Sequence, residues 1–311
     1  MKKIKSLIVG SGVIGSYLSR LLLKKGHKVV VTSRFSKKTH NNYKILKISK
    51  KVNFKKLNVL SKLEIKKVIN DIKPNNIFYL AGQSSIPKSF NLSKETKDSN
   101  FIGAKNFLEI IEKEKINLNF FKGNSGYIFK PNNGVIDLKC SLIKPNNPYV
   151  KAQQSAYKLI KKYRLRNLNC YSLIFMQIES PLRDKNFFIK KVCLHAKKRK
   201  KVVVGNIYTL RDYSWIEDIV KGVYYATFIK PCDIILSSGK KLSGRDILKY
   251  AYSLNKLNFK NFYSVNKTFI RKRENKIVIG SNSLTIDKFK KFNWKPKIYK
   301  EKLIKKIYNS I

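Results

Sequence analysis

The sequence predicts an α/β protein, a doubly wound parallel sheet joined to a smaller C-terminal α/β lobe. Three observations carry this. Short apolar runs alternate with segments of helical periodicity from the N-terminus onward. That is the pattern of strands buried on both faces and joined by crossover helices. The first run ends in a glycine cluster, Gly10, Gly12 and Gly15, that opens a helix. At 311 residues and 43% hydrophobic, the chain can bury a sizeable core and is too apolar for a disordered polycation.

The first element is a short apolar run at residues 4–9, bounded by glycine, which reads as a buried strand. Residues 13–25 place Ile14, Tyr17, Leu18, Leu21 and Leu22 at helical spacing, and Gly26 stops that helix. The β-branched run at 28–33 is a second strand. A helix at 63–72 ends at Lys73-Pro74, because the residue before proline is pushed out of the helical region. Residues 76–81 are a strand, 96–115 one long helix, and 118–123 a strand. A helix at 149–163 precedes a strand at 169–176. The later segments are shorter: a strand at 202–205, a helix at 216–228, a strand at 233–238, a helix at 245–254 and a last helix after Pro296. The expected division is 1–175 for the first domain, with 206–230 returning to it, and 176–311 for an interleaved lobe.

The chain carries 68 Lys+Arg against 18 Asp+Glu, a net charge of +50. Such a charge raises nucleic acid as a partner. The lysines, however, are spread along the whole chain, whereas a binding patch should be local and interleaved with stacking aromatics; the densest run, at 190–201, is the best local candidate. The pattern argues against nucleic acid and fits a residue-usage bias at solvent-facing positions. No apolar run approaches the ~20 residues that cross a bilayer, so no membrane is expected. The MKKIK start leads into a strand and helix interrupted by glycine and polar residues, not a leader peptide. Cys140, Cys170, Cys193 and Cys232 form no CxxC pair, and His27, His40 and His195 show no ligand spacing. Inert thiols, no metal and a cytoplasmic location are the expectation.

Gly10, Gly12 and Gly15 spell GxGxxG at a strand–helix junction. Glycine lets the backbone turn tightly and approach a pyrophosphate, while the helix N-terminus offers free N–H groups. This is the Rossmann-like arrangement, and it predicts a bound dinucleotide. The second strand ends in Thr32, Ser33 and Arg34, with no carboxylate for a ribose 2′-hydroxyl. A guanidinium and hydroxyls suit a 2′-phosphate, which favours NADP over NAD.

Beyond the loop the chain resembles the extended short-chain dehydrogenase/reductases that process nucleotide sugars, above all the GDP-mannose 4,6-dehydratases. The resemblance is carried by GSGVIGSYLSRLLLKKGH from Gly10, IKPNNIFYLAGQSSIPKSF from Ile72, and Asn100-x-x-Gly103. It continues through FMQIESPLRDKNFFIKK from Phe175, VGNIYTLRDYSWIEDIV from Val204 and FNWKPK from Phe292. Val9 stands where that family's first glycine would be. The resemblance implies a cofactor set of Gly10, Gly12, Ile14, Gly15, Arg34, Asn58 and Gln153. It implies a GDP-linked nucleotide sugar as ligand, held by Ser84, Ser85, Gln177, Glu179, Lys190, Arg211, Arg271 and Glu274. Among these, Arg211 and Arg271 would clamp the diphosphate, and Glu274 would accept from a ribose hydroxyl. It also implies a homodimer or homotetramer.

Two catalytic positions depart from the family. Its Ser/Thr-x-Glu aligns with Ser125 and Tyr127, so a phenol replaces the acid/base carboxylate. Its Tyr-x-x-x-Lys aligns with Tyr149 and Gln153, so an amide replaces the lysine that would bind the nicotinamide ribose and lower the tyrosine pKa. Lys151 lies two residues along the helix from Tyr149 and points elsewhere. Loss of the carboxylate should cripple elimination more than hydride transfer. The reading is therefore a reductase or epimerase acting at sugar carbon 4. A dehydratase using an unexpected residue, or a protein that binds both ligands without turnover, stand beside it.

Overall fold

The computed structural model describes residues 3–34, 40–270 and 275–311. In chain order the main elements begin β1 (Lys5–Val9), α1 (Val13–Lys24), β2 (Lys28–Ser33), α2 (His40–Ile45), β3 (Asn53–Lys56), α3 (Lys62–Ile72) and β4 (Asn76–Tyr79). Then come α4 (Ile86–Asn91), α5 (Ser93–Lys97), α6 (Gly103–Lys113), β5 (Asn119–Ser125), β6 (Val135–Ile136), α7 (Pro148–Leu165), β7 (Cys170–Phe175) and β8 (Gln177–Glu179). After these are α8 (Phe188–Lys197), β9 (Val202–Val204), β10 (Leu210–Trp215), α9 (Ile216–Tyr225), β11 (Asp233–Leu236), β12 (Lys241–Ser243) and α10 (Gly244–Ser253). The chain closes with β13 (Tyr263–Val265), β14 (Ile277–Gly280), α11 (Ser283–Lys288) and α12 (Lys300–Asn309).

The chain divides into two compact units, one of 1–130, 141–175 and 220–234, the other of 131–140, 176–219 and 235–311. The first holds a seven-stranded sheet ordered β11-β7-β5-β4-β1-β2-β3. Its pairs from β7 to β3 are parallel. The order reverses between β1 and β4, with Val9 opposite both Thr32 and Tyr79. Loops leaving the strand ends at such a switch point face a crevice in doubly wound sheets. One sheet face packs Leu7, Val9, Ile77, Tyr79 and Phe120 against α3, α6 and α7. On adjacent strands Phe78, Phe121 and Tyr171 stack with centroids 4.8 and 4.3 Å apart.

The helix expected at 96–115 is interrupted. α5 passes through a π turn, Asp98–Ile102, before α6 begins. A π turn inserts one residue into the helical ladder and rotates the helix downstream of it, and such turns recur at functional sites. This one carries Asn100.

The second unit is built on a five-stranded sheet with path β12-β10-β14-β6 and β8 beside β10. The sequence does not announce the short strands β8, β10, β12 and β14, because strands of three to six residues leave little periodicity. Asp212 on β10 ties this sheet together. Its carboxylate accepts from Ser214 Oγ at 3.1 Å, Ser238 N at 3.0 Å, Ser238 Oγ at 2.6 Å, Gly239 N at 2.9 Å and Gly280 N at 3.3 Å. Asp218 Oδ2 accepts from the backbone N–H of Lys297 and Ile298, and Trp294 Nε1 donates to the Asp218 carbonyl. Asp218 thus tethers the Asn-Trp-Lys-Pro segment to α9.

Candidate functional site

The loop Gly10–Gly12 leaves β1 at the switch point and enters α1. Gly10 has φ +107°, and a Cβ there would lie 2.6 Å from the Ala81 backbone nitrogen. A Cβ on Gly15 would overlap the Gly10 carbonyl oxygen. Both positions exclude any side chain. Gly12 differs: a Cβ would meet nothing within 4 Å. The loop therefore presents an open backbone flank at the N-terminus of α1, where a phosphate can approach N–H groups. Ser11 is buried and Ile14 half-buried beside it. These features fit a dinucleotide.

At the end of β2, Thr32 is buried, Ser33 half-buried and Arg34 exposed. Asn58 lies in the turn before α3. Its N–H donates to Glu64 Oε2 at 2.8 Å, and its Oδ1 accepts from Leu60 N at 3.1 Å. These bonds make it a local turn-former with an exposed side chain. Ser84 is exposed, and Ser85 caps α4 by accepting from Lys88 N.

Ser125 ends β5, and its Oγ accepts from Tyr127 N at 3.2 Å. Tyr127, in the turn Gly126–Ile128, is half-buried. α7 starts from Asn147, whose side chain accepts from Val150 N, and Pro148 sits in its first turn. Tyr149 is next along the chain. Gln153 lies one turn on along the same helical face and is buried, while Lys151 is exposed. Gln153 Nε2 donates to Asn100 Oδ1 at 2.8 Å. Asn100 Nδ2 in turn donates to the carbonyls of Gln83 at 3.2 Å and Thr96 at 3.0 Å. The buried Gln153 Oε1 has no hydrogen-bond partner among the described residues. In the sequence Asn100 reads only as the start of a helix motif. Its pairing with Gln153 crosses 53 residues and leaves no local signal.

In the second unit, Gln177 and Glu179 lie on β8, paired with Tyr213 and Trp215 of β10. Glu179 is buried, and its Oε2 and the Ser180 hydroxyl have no hydrogen-bond partner among the described residues. Burial pushes the Glu179 carboxyl up to about 7, against the pull of the Arg183 and Lys190 cations. Lys190 donates to the Pro181 carbonyl, and the Arg183 guanidinium lies 3.5 Å from the Phe187 ring centroid. The sequence-predicted Glu179 and Lys190 are thus brought together. Arg211, on β10, is buried, and its Nη1 donates to the Leu210 carbonyl at 2.8 Å. Arg271 and Glu274 lie outside the described residues. Among the described residues, no cluster of three His, Cys, Asp or Glu side chains could hold a metal. Nor, among them, is any helix long and apolar enough to cross a membrane.

The family model for GDP-mannose 4,6 dehydratase matches residues 7–307. The chain belongs to that family. It is 26% identical to GDP-mannose 4,6 dehydratase 1 of Arabidopsis thaliana over 96% of its own length and 87% of the relative's. To the Homo sapiens GDP-mannose 4,6 dehydratase it is 24% identical over 98% and 90%. Solved structures share the fold. UDP-glucuronic acid 4-epimerase from Bacillus cereus, in complex with UDP-glucuronic acid and NAD, superposes with TM-score 0.87 at 18% identity, covering 99% of this chain and 98% of that one. dTDP-glucose 4,6-dehydratase from Bacillus anthracis, in complex with NAD, superposes with TM-score 0.85 at 16% identity, covering 99% and 96%. The doubly wound, Rossmann-like reading of the sequence is borne out.

Proposed function

We propose that this chain is a nucleotide-sugar oxidoreductase that transfers hydride at sugar carbon 4, as a reductase or epimerase rather than an efficient 4,6-dehydratase. The observation that carries it is the pairing of Tyr149 with Gln153 on one face of α7, while Ser125-Gly126-Tyr127 offers no carboxylate. In this reading the Gly10–Gly15 loop holds a nicotinamide dinucleotide, which when bound supplies or takes up the hydride. Tyr149 gives its hydroxyl proton to the carbon-4 keto oxygen, and Ser125 hydrogen-bonds the same oxygen. Gln153 Oε1, lacking a donor among the described residues, accepts from a ribose hydroxyl. Dehydration needs a base for the carbon-5 proton, and a phenol at position 127 is a poor base at neutral pH. Reduction asks only for a proton donor.

Arg34 at the end of β2 favours NADP over NAD, although the solved epimerase and dTDP-glucose dehydratase carry NAD. In the second unit, Arg211 and Lys190 favour a diphosphate, consistent with a GDP-linked sugar. A second reading, binding of both ligands without turnover, is favoured by one feature. Gln153 carries no charge, and its amide is already bonded to Asn100.

Incubation with GDP-mannose, and separately with its 4-keto-6-deoxy product plus NADPH or NADH, decides among these. A mass gain of about 2 Da on the keto sugar is the expected result, reporting addition of a hydride and a proton. Loss of water from GDP-mannose would overturn the proposal in favour of dehydration. Binding of both ligands with no mass change, and with no isobaric epimer resolved by chromatography, would support the non-catalytic reading.

A further inference from the structure

Among the described residues, Lys122 is the only lysine in the buried class. It sits on β5, between Tyr79 of β4 and Ser172 of β7 in register. Its ammonium lies 5.5 Å from the Tyr79 ring centroid and donates to the Gly123 carbonyl. No carboxylate is paired with it among the ion pairs of the described residues. A surface bias toward lysine does not explain a lysine that has left the surface. Burying an ammonium without a counter-ion costs stability that Met, of similar length, would not cost. Features that cost stability persist where function needs them.

The surroundings indicate which function. Asn124 is two residues on, along the same face of β5. Its Nδ2 donates to Ser172 Oγ at 2.7 Å, and its buried Oδ1 has no partner among the described residues. The Tyr79 hydroxyl donates to the Ser99 carbonyl at 2.8 Å, next to Asn100 in the π turn. Asn100 holds Gln153, whose Oε1 is the second buried acceptor without a partner. α7 packs on both β5 and the π turn. Lys122 and Asn124 on β5 are thus linked to Gln153 on α7 stepwise within the first unit, through Tyr79, the π turn and Asn100.

We infer that Lys122 is a positioning residue that supplies, from the sheet, the positive charge that Gln153 fails to supply from α7. The inference rests on the dinucleotide reading of the first unit. Lys122 does not touch the cofactor; its charge acts across the Asn100–Gln153 amide pair. That pair presents the Gln153 carbonyl to a ribose hydroxyl.

The test is a two-by-two set of the full-length protein: wild type, Lys122→Met, Gln153→Lys and both together. Each is titrated with NADPH and NADH by cofactor fluorescence at about pH 6, where Lys122 keeps its proton, with thermal melts as a folding control. Lys122→Met is expected to lower affinity about tenfold, the weight of one charge at a partly screened site. Gln153→Lys is expected to restore that affinity in the Lys122→Met background and to add little in wild type, where the sheet already supplies the charge. Lys122→Gln is carried alongside, so that a packing defect in one variant cannot stand in for loss of charge. A purely structural role for Lys122 predicts the same effect of Gln153→Lys in both backgrounds. That result, or unchanged affinity in both Lys122 variants, overturns the inference and leaves dinucleotide binding intact. Wild-type protein that binds neither dinucleotide overturns both.

Discussion

Lys122 also makes a prediction that needs no ligand. Burial pulls its ammonium down to about 7, from an ordinary value near 10.5. Between those two values the unfolded chain binds a proton that the folded chain does not. Stability therefore rises with pH across that window, because the cost of burying the charge disappears. Lys122→Met has no such term. Its stability advantage over wild type should be largest below pH 7 and shrink toward pH 9.5, where buried tyrosines such as Tyr79 begin to act in the opposite sense in both proteins. A shift of this size corresponds to a few kcal/mol at most. Urea unfolding of the two proteins from pH 6 to pH 9.5 measures the difference, and a pH-independent gap would count against a charged, buried Lys122. Position 122 is partly legible in the sequence. A lysine inside an Asn-Phe-Phe-Lys-Gly run, in a strand buried on both faces, must point inward one way or the other. The Asn100–Gln153 bond is not legible, because it depends on a π turn that no local pattern announces.

At the level of elements, the glycine loop is the most legible part of the chain. The motif implies both the strand before it and the helix after it, and the structure keeps both. The motif cannot separate the glycines by role, and the geometry does. Gly10 needs a positive φ and abuts the Ala81 backbone, whereas Gly12 faces open space. Gly10→Ala is therefore expected to destabilise the fold by about 1–3 kcal/mol through strain and overlap. Gly12→Ala is expected to melt within a degree or two of wild type, while weakening NADPH binding by at least about tenfold as its methyl occupies the approach to the N–H groups. Melting curves and cofactor titrations on the two variants check this, and a Gly12→Ala protein that binds normally would remove the loop from the site. The second unit is less legible for a physical reason. Its strands are short, and what orders them is Asp212, whose five accepted bonds come from residues as far away as Gly280. Motifs point to its neighbour Arg211 instead, since a buried carboxylate that gathers N–H groups has no sequence period.

For the whole molecule the governing quantity is the charge. Sixty-eight cations face 18 acids. Several of those acids are committed to the interior, among them Glu179, Asp212 and Asp218. The surface ion pairs, such as Lys55–Asp71 and Lys66–Glu114, both at 2.9 Å, join partly exposed groups and contribute little. The Arg164–Asp233 pair at 2.6 Å is better shielded, and Tyr157 donates to the same carboxylate at 2.8 Å. Salt screens attraction and repulsion alike. With an excess of +50, repulsion is the larger sum, and it is stronger in the compact state than in the expanded one. Raising NaCl from about 10 mM to about 300 mM should therefore raise the melting temperature by about 2–3 °C, the shift expected for one to two kcal/mol in a chain of this size. Phosphate or sulfate at equal ionic strength should raise it further if the anion-seeking groups of the two units, Arg34 and the Gly10–Gly15 loop in one and Arg211 and Lys190 in the other, take up anions. Calorimetry in the three salts separates these effects. A melting temperature that falls with NaCl would mean that the few ion pairs outweigh the repulsion. Equal responses to chloride and phosphate would mean that the charge is spread without a site. A surplus for phosphate that disappears in the presence of NADPH would place part of the excess charge at the dinucleotide loop.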